Sequence, residues 1–350
     1  MSQTLMSVPG RRRPEGDFAQ ATISRADELD HCILHALRID GRAPFSRIAE
    51  ILDVSTQTVA RRYRRLSSER SLRVVGVVNP SRTSSEKWLL RLTASPNAAQ
   101  RVAQSLARRD DTTWVRRVSG GNEICLVTVA KGAAHHSLLF REIPSASSIT
   151  EVSAHRLLHT YLGGPTAWPG HTAALTDKQQ EQLGQEFDLS VVTDDHENLV
   201  PLNRADWHLL TTLQRDGRIS YADLAARTGL STSTVTRRVA ALQADGILTF
   251  DVEIGPEVYG ITTQTLMWMS VAPAHLNRVA ESLVRHRQLA FLASTTGPTN
   301  LVAHILCRTP GELHDYLAHG LSALDSIRML ETSPVQQTLK MCSPFLRNGL

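Results

Sequence analysis

Two stretches decide the fold: STQTVARRYRRLSS at residues 55–68 and STSTVTRRVAALQA at residues 231–244. Each opens on a serine, whose hydroxyl suits a helix N-cap because it accepts a backbone N–H of the first turn. Val59, Tyr63 and Leu66, matched by Val235, Val239 and Leu242, recur at i, i+4 and i+7, the spacing of a buried helical stripe. The opposite face carries small hydroxyl and amide side chains at its N-terminal end and arginines further along. That is the chemistry that reads base edges and phosphates in a DNA groove. The candidate DNA-binding residues are Ser55, Thr56, Gln57, Thr58, Arg61, Arg62 and Arg65 in the first stretch. In the second they are Ser231, Thr232, Ser233, Thr234, Arg237 and Arg238.

The two stretches belong to a longer repeat. Residues 28–80 align without a gap onto residues 204–256 at an offset of 176, with 16 of 53 positions identical. Asp27 and Asn203 occupy equivalent cap positions, each followed three residues later by an acid, Asp30 or Asp206. Asp40-Gly41 and Asp216-Gly217 are expected to end the first helix through a left-handed glycine cap. A second short helix is expected near 46–52 and 221–228, then a turn in which Gly229 fits best and Asp53 substitutes. Three short helices at this spacing spell a helix-turn-helix. Residues 72–78 and 247–254 read as strands and as the expected wing. Residues 55–73 hold six arginines against one glutamate, and residues 231–249 two arginines against one aspartate, so the first copy is expected to bind DNA more strongly.

A second module follows each helical one. Strands are expected at 87–93, 113–119, 123–130 and 149–158, with helices at 97–109 and 134–143. The second copy repeats this with strands at 264–271, 289–296, 300–307 and 327–339 and helices at 274–287 and 311–321. The order βαββαβ is the ferredoxin-like arrangement, an antiparallel sheet with helices on one face. Its open face must be covered, so dimerisation through the sheets is expected. The fold class is therefore α+β: two tandem copies of a winged helix-turn-helix domain followed by a ferredoxin-like sensor domain. The boundaries read 1–24 (basic tail), 25–80, 84–162, 163–201 (linker), 202–256 and 260–343. Within the linker, residues 176–187 spell one short amphipathic helix, with Leu183 and Phe187 on a face, in a segment expected to space the halves.

At 350 residues and a net charge of +4, the chain permits nucleic-acid binding without demanding it. No apolar run reaches the length of a membrane span. Four scattered cysteines fit a reducing cytoplasm, the expected location. Among the 14 histidines, His155 and His159 share a strand face but lie about 13 Å apart along it, and His135-His136 have no cysteine or carboxylate cluster beside them. No metal or cofactor is expected, and no nucleophile elbow, phosphate loop or dinucleotide fingerprint occurs.

The pattern resembles the leucine-responsive/asparagine regulator (Lrp/AsnC) family. The likeness is carried by Asp30, Ile33-Leu34, Leu37, Asp40-Gly41-Arg42, Ile48-Ala49, Val54-Ser55, Val59, Arg61-Arg62 and Leu66, and again by their counterparts from Asp206 to Leu242. Ordinary members have one copy, so this chain looks like a fused, double-length one. The resemblance implies a non-enzymatic transcription regulator that binds double-stranded DNA and forms homodimers or higher oligomers. It also implies an amino acid or related metabolite held where sensor modules meet, near the turn between the two central strands. Those turns read Gly120, Gly121, Asn122, Glu123 and Gly297, Pro298, Thr299, Asn300. Family members place an aspartate where Glu123 and Asn300 stand; Glu123 would accept an ammonium, and Asn300 only through its amide oxygen. The same scaffold also serves tetrapyrrole (sirohaem) decarboxylases, the enzymatic alternative, and a metabolite-binding module without DNA binding is the third reading.

Overall fold

The computed structural model describes residues 26–68, 72–79, 82–83, 85–131, 138–163, 168, 174–184 and 200–341. The basic tail at 1–24, His135-His136 and Phe187 lie outside them. The first half runs α1 (Glu28–Ile39), α2 (Phe45–Ile51), α3 (Thr56–Ser68), β1 (Leu72–Val78), β2 (Ser85–Ala94), α4 (Ala99–Arg108), β3 (Thr112–Val118) and β4 (Glu123–Lys131). A π-helical turn (Leu138–Glu142) then leads through α5 (Ile143–Ser145) into β5 (Ile149–Leu162). A linker helix, α6 (Asp177–Leu183), separates it from the second half. There the order recurs: α7 (Arg204–Arg215), α8 (Tyr221–Thr228), α9 (Thr232–Ala244), β6 (Leu248–Ile254), β7 (Thr263–Val271), α10 (Leu276–Val284), β8 (Leu289–Thr295), β9 (Leu301–Cys307), α11 (Pro310–Asp315) and β10 (Ile327–Thr338). Among the described residues, no helix is long and apolar enough to cross a membrane.

Asp27 and Asn203 close capping boxes with Asp30 and Asp206, which starts α1 and α7 where the sequence places them. The helix ends differ from expectation. Asp40 and Asp216 terminate α1 and α7 in extended geometry, and neither Gly41 nor Gly217 takes a positive φ. Gly217 is needed for close approach instead: a Cβ there would lie 2.9 Å from the Val75 backbone nitrogen. The left-handed positions are Gly229 (φ 72°) and its counterpart Asp53 (φ 53°), after the second helix of each module.

β1 and β6 are the wing strands expected after each three-helix module, but neither pairs within its own module. They pair with each other, antiparallel, in a two-stranded ribbon joining the two helical modules. Val75 faces Asp251, its own counterpart in the repeat, so an approximate twofold axis passes through that pair. A lone strand of alternating apolar residues needs an edge, and the edge at hand is the same strand of the other copy.

The sensor sheets obey the same axis. Each has the ferredoxin-like strand order, β3-β4-β2-β5 and β8-β9-β7-β10, and they join through β5–β8 and β10–β3 into a closed eight-stranded barrel. The open sheet faces thus cover each other within one chain, so this face does not call for the second chain that was expected. Outward-facing residues such as Leu90, Leu92 and Leu126 pack under α4, and Met267, Met269 and Ala303 under α10. Leu89, Cys125, Val127, Leu266, Trp268 and Val302 fill the space between the sheets.

The linker is more than a spacer. Thr176 caps α6, and Leu175 and Leu183 are buried in the core of the first helical module. The backbone N–H groups of Ala174 and Leu175 both donate to His35 Nδ1 at 3.2 Å, and Gln179 donates to the Ile51 carbonyl. No equivalent strap crosses the second module among the described residues.

Lys340, just past β10, is 1 % exposed where the sensor tier meets the helical tier. Its Nζ donates to the Arg109 carbonyl, and Asp110, Asp111, Glu253 and Arg215 act on it electrostatically. Burial lowers its pKa to about 8. The unfolded lysine keeps its proton to about pH 10.4, so between these values the unfolded chain binds more protons and stability rises with pH. Urea midpoints at pH 7.5, 8.5 and 9.5 should show wild type gaining on Lys340→Met by on the order of 2 kcal/mol across the series. A pH-independent difference between the two would contradict this.

Candidate nucleic-acid interface

Ser55 and Ser231 spend their hydroxyls on capping. Ser55 Oγ accepts the Thr58 N–H at 3.0 Å and Ser231 Oγ the Thr234 N–H at 3.2 Å, and each cap hydroxyl also bonds the hydroxyl of that same threonine. Exposed on α3 are Thr56, Gln57, Arg61, Arg64 and Ser68; on α9 they are Thr232, Ser233, Thr236, Arg237, Ala240, Gln243 and Ala244. Gln57, Arg61 and Arg64 stand at i, i+4 and i+7 on one face, and the matching stripe on α9 is Ser233, Arg237 and Ala240. Arg61 and Arg237 make no ion pair among the described residues.

Three of the candidate arginines have other work. Arg62 Nη1 bonds Asp27 at 2.6 Å and Asp30 at 2.9 Å, and Arg65 closes on the other oxygen of Asp30. Arg238 forms a two-pronged pair with Asp206. Asp30 and Asp206 are 0 % and 1 % exposed, and a buried carboxylate requires a partner. The hydrogen bond from Arg62 lowers the Asp27 pKa, and that from Arg238 lowers the Asp206 pKa. Arg62, Arg65 and Arg238, expected from the sequence as DNA contacts, are engaged in this structure as struts holding the third helix on the first. Each strut is electroneutral: two acids with two arginines in the first copy, one with one in the second, where Asn203 and Ala241 replace Asp27 and Arg65. The arginine excess of the first copy shrinks accordingly. Arg73 donates to the Arg215 carbonyl and Arg70 lies outside the described residues, leaving Arg61 and Arg64 against Arg237.

Sequence reasoning missed the bracket that fixes the two modules. Arg42 donates to the carbonyls of Gly217 and Ile219 at 2.6 and 2.9 Å, and Arg218 to those of Gly41 and Ala43 at 2.7 and 2.9 Å. Arg42 stacks on Tyr221 and Phe250, Arg218 on Phe45 and Tyr63. The signal available was the Asp-Gly-Arg triplet itself, identical in both copies.

The two sensor turns are occupied by the protein's own groups. Glu123 is buried, paired with Arg91, and accepts the Ser119 hydroxyl at 2.6 Å. Gly121 (φ 87°) is pressed against Gln336, and Arg117 donates to its carbonyl at 2.9 Å. Asn300 exchanges two hydrogen bonds of 2.9 Å with the backbone of Val271. Gly297 (φ 108°) lies against the His155 ring, Thr299 is buried, and Gly120 and Pro298 are exposed. Asn122 accepts the Ala94 N–H at its backbone carbonyl. Glu123 and Asn300, expected from the sequence as ammonium acceptors, each satisfy a group of the sheet itself. His155 and His159 lie on β5 as expected, with His155 bonded to Ser153 and to the Thr296 carbonyl. No group of three or more metal-ligating side chains occurs among the described residues.

Three family models match the chain: an AsnC-type helix-turn-helix domain at 27–67, a winged helix-turn-helix DNA-binding domain at 202–249, and an Lrp/AsnC ligand binding domain at 264–345. An uncharacterised HTH-type transcriptional regulator of Pyrococcus furiosus is 30 % identical over 133 residues, 38 % of this chain and 90 % of that protein. The HTH-type transcriptional regulator LrpA of Pyrococcus horikoshii is 25 % identical over 40 % of this chain and 99 % of its own length. Over the whole chain, the crystal structure of the siroheme decarboxylase NirDL superposes with a TM-score of 0.60, covering 90 % of this chain and 93 % of the other at 11 % identity. That likeness is one of fold.

Proposed function

Because the chain belongs to the Lrp/AsnC family of helix-turn-helix transcription regulators, we propose that it is a double-length member in which one polypeptide does the work of two subunits. The domains are then 25–80 and 202–256 for DNA, 84–162 and 260–343 for the sensor modules, with a linker at 163–201 whose residues 174–184 dock on the first helical module. Relatives that match almost end to end span about two fifths of this chain, as a fused pair requires. The observation that carries the reading is the pair of third helices, each with exposed polar residues toward its N-terminus and an arginine without an ion pair among the described residues, held about one twofold axis by β1–β6. Such a pair suits two half-sites on one face of double-stranded DNA, in the cytoplasm where transcription is regulated. Thr56, Gln57, Arg61 and Arg64 would read or flank one half-site, and Thr232, Ser233 and Arg237 the other.

Fluorescence anisotropy on DNA from the chain's own promoter region tests this. Arg61→Ala should weaken binding and reduce the salt slope by about 1, and Arg237→Ala should do the same. Adding Arg64→Ala to the first should weaken it further, a loss the second half cannot mirror because Ala240 stands there. Unchanged binding in both arginine variants would overturn the assignment. A colourless purified protein, by visible absorbance, separates this reading from the tetrapyrrole-decarboxylase alternative that the shared fold raises. A metabolite effector, and oligomers beyond the single chain, belong to the same proposal.

A further inference from the structure

The space between the two sensor sheets contains polar groups that the fold does not use. Trp268, Ser333 and His304 are 1 %, 0 % and 3 % exposed, and Trp268 Nε1, Ser333 Oγ and His304 Nε2 have no hydrogen-bond partner among the described residues. Strand register places all three on the lumen side. Leu266 and Trp268 point into the lumen with Leu89, Cys125 and Val127. Ser333 and His304 flank Leu266 on β10 and β9, in one row across three strands, and Trp268 stands in the next row, between Glu331 and Val302. Three orphaned polar atoms in adjacent rows of one face are a costly coincidence in a packed interior unless something bonds them.

We propose that the barrel lumen is a binding site for one small carboxylate-bearing metabolite, held by Trp268 Nε1, Ser333 Oγ and His304 Nε2. An indole N–H only donates, a serine hydroxyl donates readily, and a neutral imidazole donates from Nε2 in one tautomer. The trio therefore asks for an acceptor-rich group such as a carboxylate. Burial, reinforced by Arg116, keeps His304 well below the usual histidine range and so neutral. The field of Arg116 at this position favours an anion. Arg91, stacked over Trp268 at 5.1 Å, is already shared by Glu123 and Glu331. An eight-stranded barrel accommodates side chains and at most one small ligand, which limits the guest to a few heavy atoms.

The site is single although the barrel is pseudo-symmetric. In the first half the positions of Trp268 and His304 are held by Arg91 and Val127, and that of Ser333 by His155, whose ring nitrogens are both engaged. The inference deepens the effector reading by moving the ligand from the hairpin turns, where Glu123 and Asn300 are spent, into the lumen.

Sodium acetate is the probe, titrated against sodium chloride at equal ionic strength while thermal unfolding of the full chain is followed. Acetate should raise the melting temperature of dialysed wild type in a concentration-dependent way. Trp268→Phe and Ser333→Ala should each weaken that dependence by about tenfold or more, while being at least as stable as wild type in acetate-free buffer, since each removes an unpartnered group. His304→Val, which copies Val127 of the other half, guards against misfolding of the first two. No acetate-specific shift in wild type, the result expected if the trio holds only water, or an equal shift in the variants, overturns the inference. DNA anisotropy on the same samples keeps the readings apart: binding that persists while acetate fails removes the lumen site and leaves the regulator intact.

Discussion

Replacing Arg218 with alanine should lower stability by about 3–5 kcal/mol and separate the two helical modules. The guanidinium makes two charge-assisted hydrogen bonds across the twofold axis, to Gly41 and Ala43, and lies over Phe45 at 4.4 Å. Its removal leaves two carbonyls of the other module without their donor. Each bond to a charged group contributes about 1.5–3 kcal/mol and the stacking about 1, and because one side chain makes all three the contributions overlap rather than add in full. Arg218→Lys should rescue little, because one ammonium on a flexible stem does not reproduce a planar fork that reaches two carbonyls at once. Burial depresses the pKa of Arg218, opposed by Tyr63, Asp40 and Asp216, and the two carbonyls receive the charge. Urea denaturation gives the stability. The functional reading is affinity for DNA carrying two half-sites against DNA carrying one. The variant should lose affinity for the first and keep it for the second, since α3 and α9 are untouched but no longer held in phase. A loss below about 1 kcal/mol, or equal weakening on both DNAs, would show that β1–β6 alone fixes the modules.

Much of this arrangement was legible in the sequence, and the part that was not has one physical cause. The capped helices, the turn at Asp53 and Gly229 and the βαββαβ order follow from local signals: cap residues, periodicity and tolerance of a positive φ. The partner of a strand is not a local property. Residues 72–78 read as a wing strand, but nothing in them says that its mate lies in the other copy, so the strand was placed and its pairing was not. The same holds for the sheets, whose open faces were assigned to a second chain although the second half of this one covers them. The arginines failed differently. Arg62 and Arg238 lie on a polar helix face and carry charge, which suits a phosphate as well as it suits a carboxylate. The deciding signal was a second-order one. Asp30 with Arg62 and Asp206 with Arg238 recur at one spacing, while Asp27 and Arg65 are replaced together by Asn203 and Ala241, preserving neutrality. Exposed candidates such as Arg61 and Arg237 carry no such companion.

That neutrality sets the second large effect. Arg238→Leu should destabilise the second helical module by about 3–5 kcal/mol, because it strands the buried Asp206 carboxylate, whereas Asp206→Ala leaves only a guanidinium that solvent reaches and should cost less. Asp206 is 1 % exposed, is held by both prongs of Arg238, and also closes the capping box that begins α7. The double variant Asp206→Ala with Arg238→Leu should recover a substantial part of the loss, since no uncompensated charge remains; the cap bond to Asn203 is still gone, so recovery is incomplete. A double-mutant cycle reads the coupling directly. The pH dependence follows from the direction of the shift. Arg238 lowers the folded pKa of Asp206 below its unfolded value, so the stabilisation is fully present above the unfolded value and is lost as pH falls through the folded one. Acid titration of wild type should therefore show stability falling below about pH 4 more steeply than in the double variant. If Arg238 instead served DNA, the single variant Arg238→Leu would weaken DNA binding while leaving the acid limb and the urea midpoint where they were. The burial of Asp206 excludes that combination: the strut must yield before the groove contact can be read.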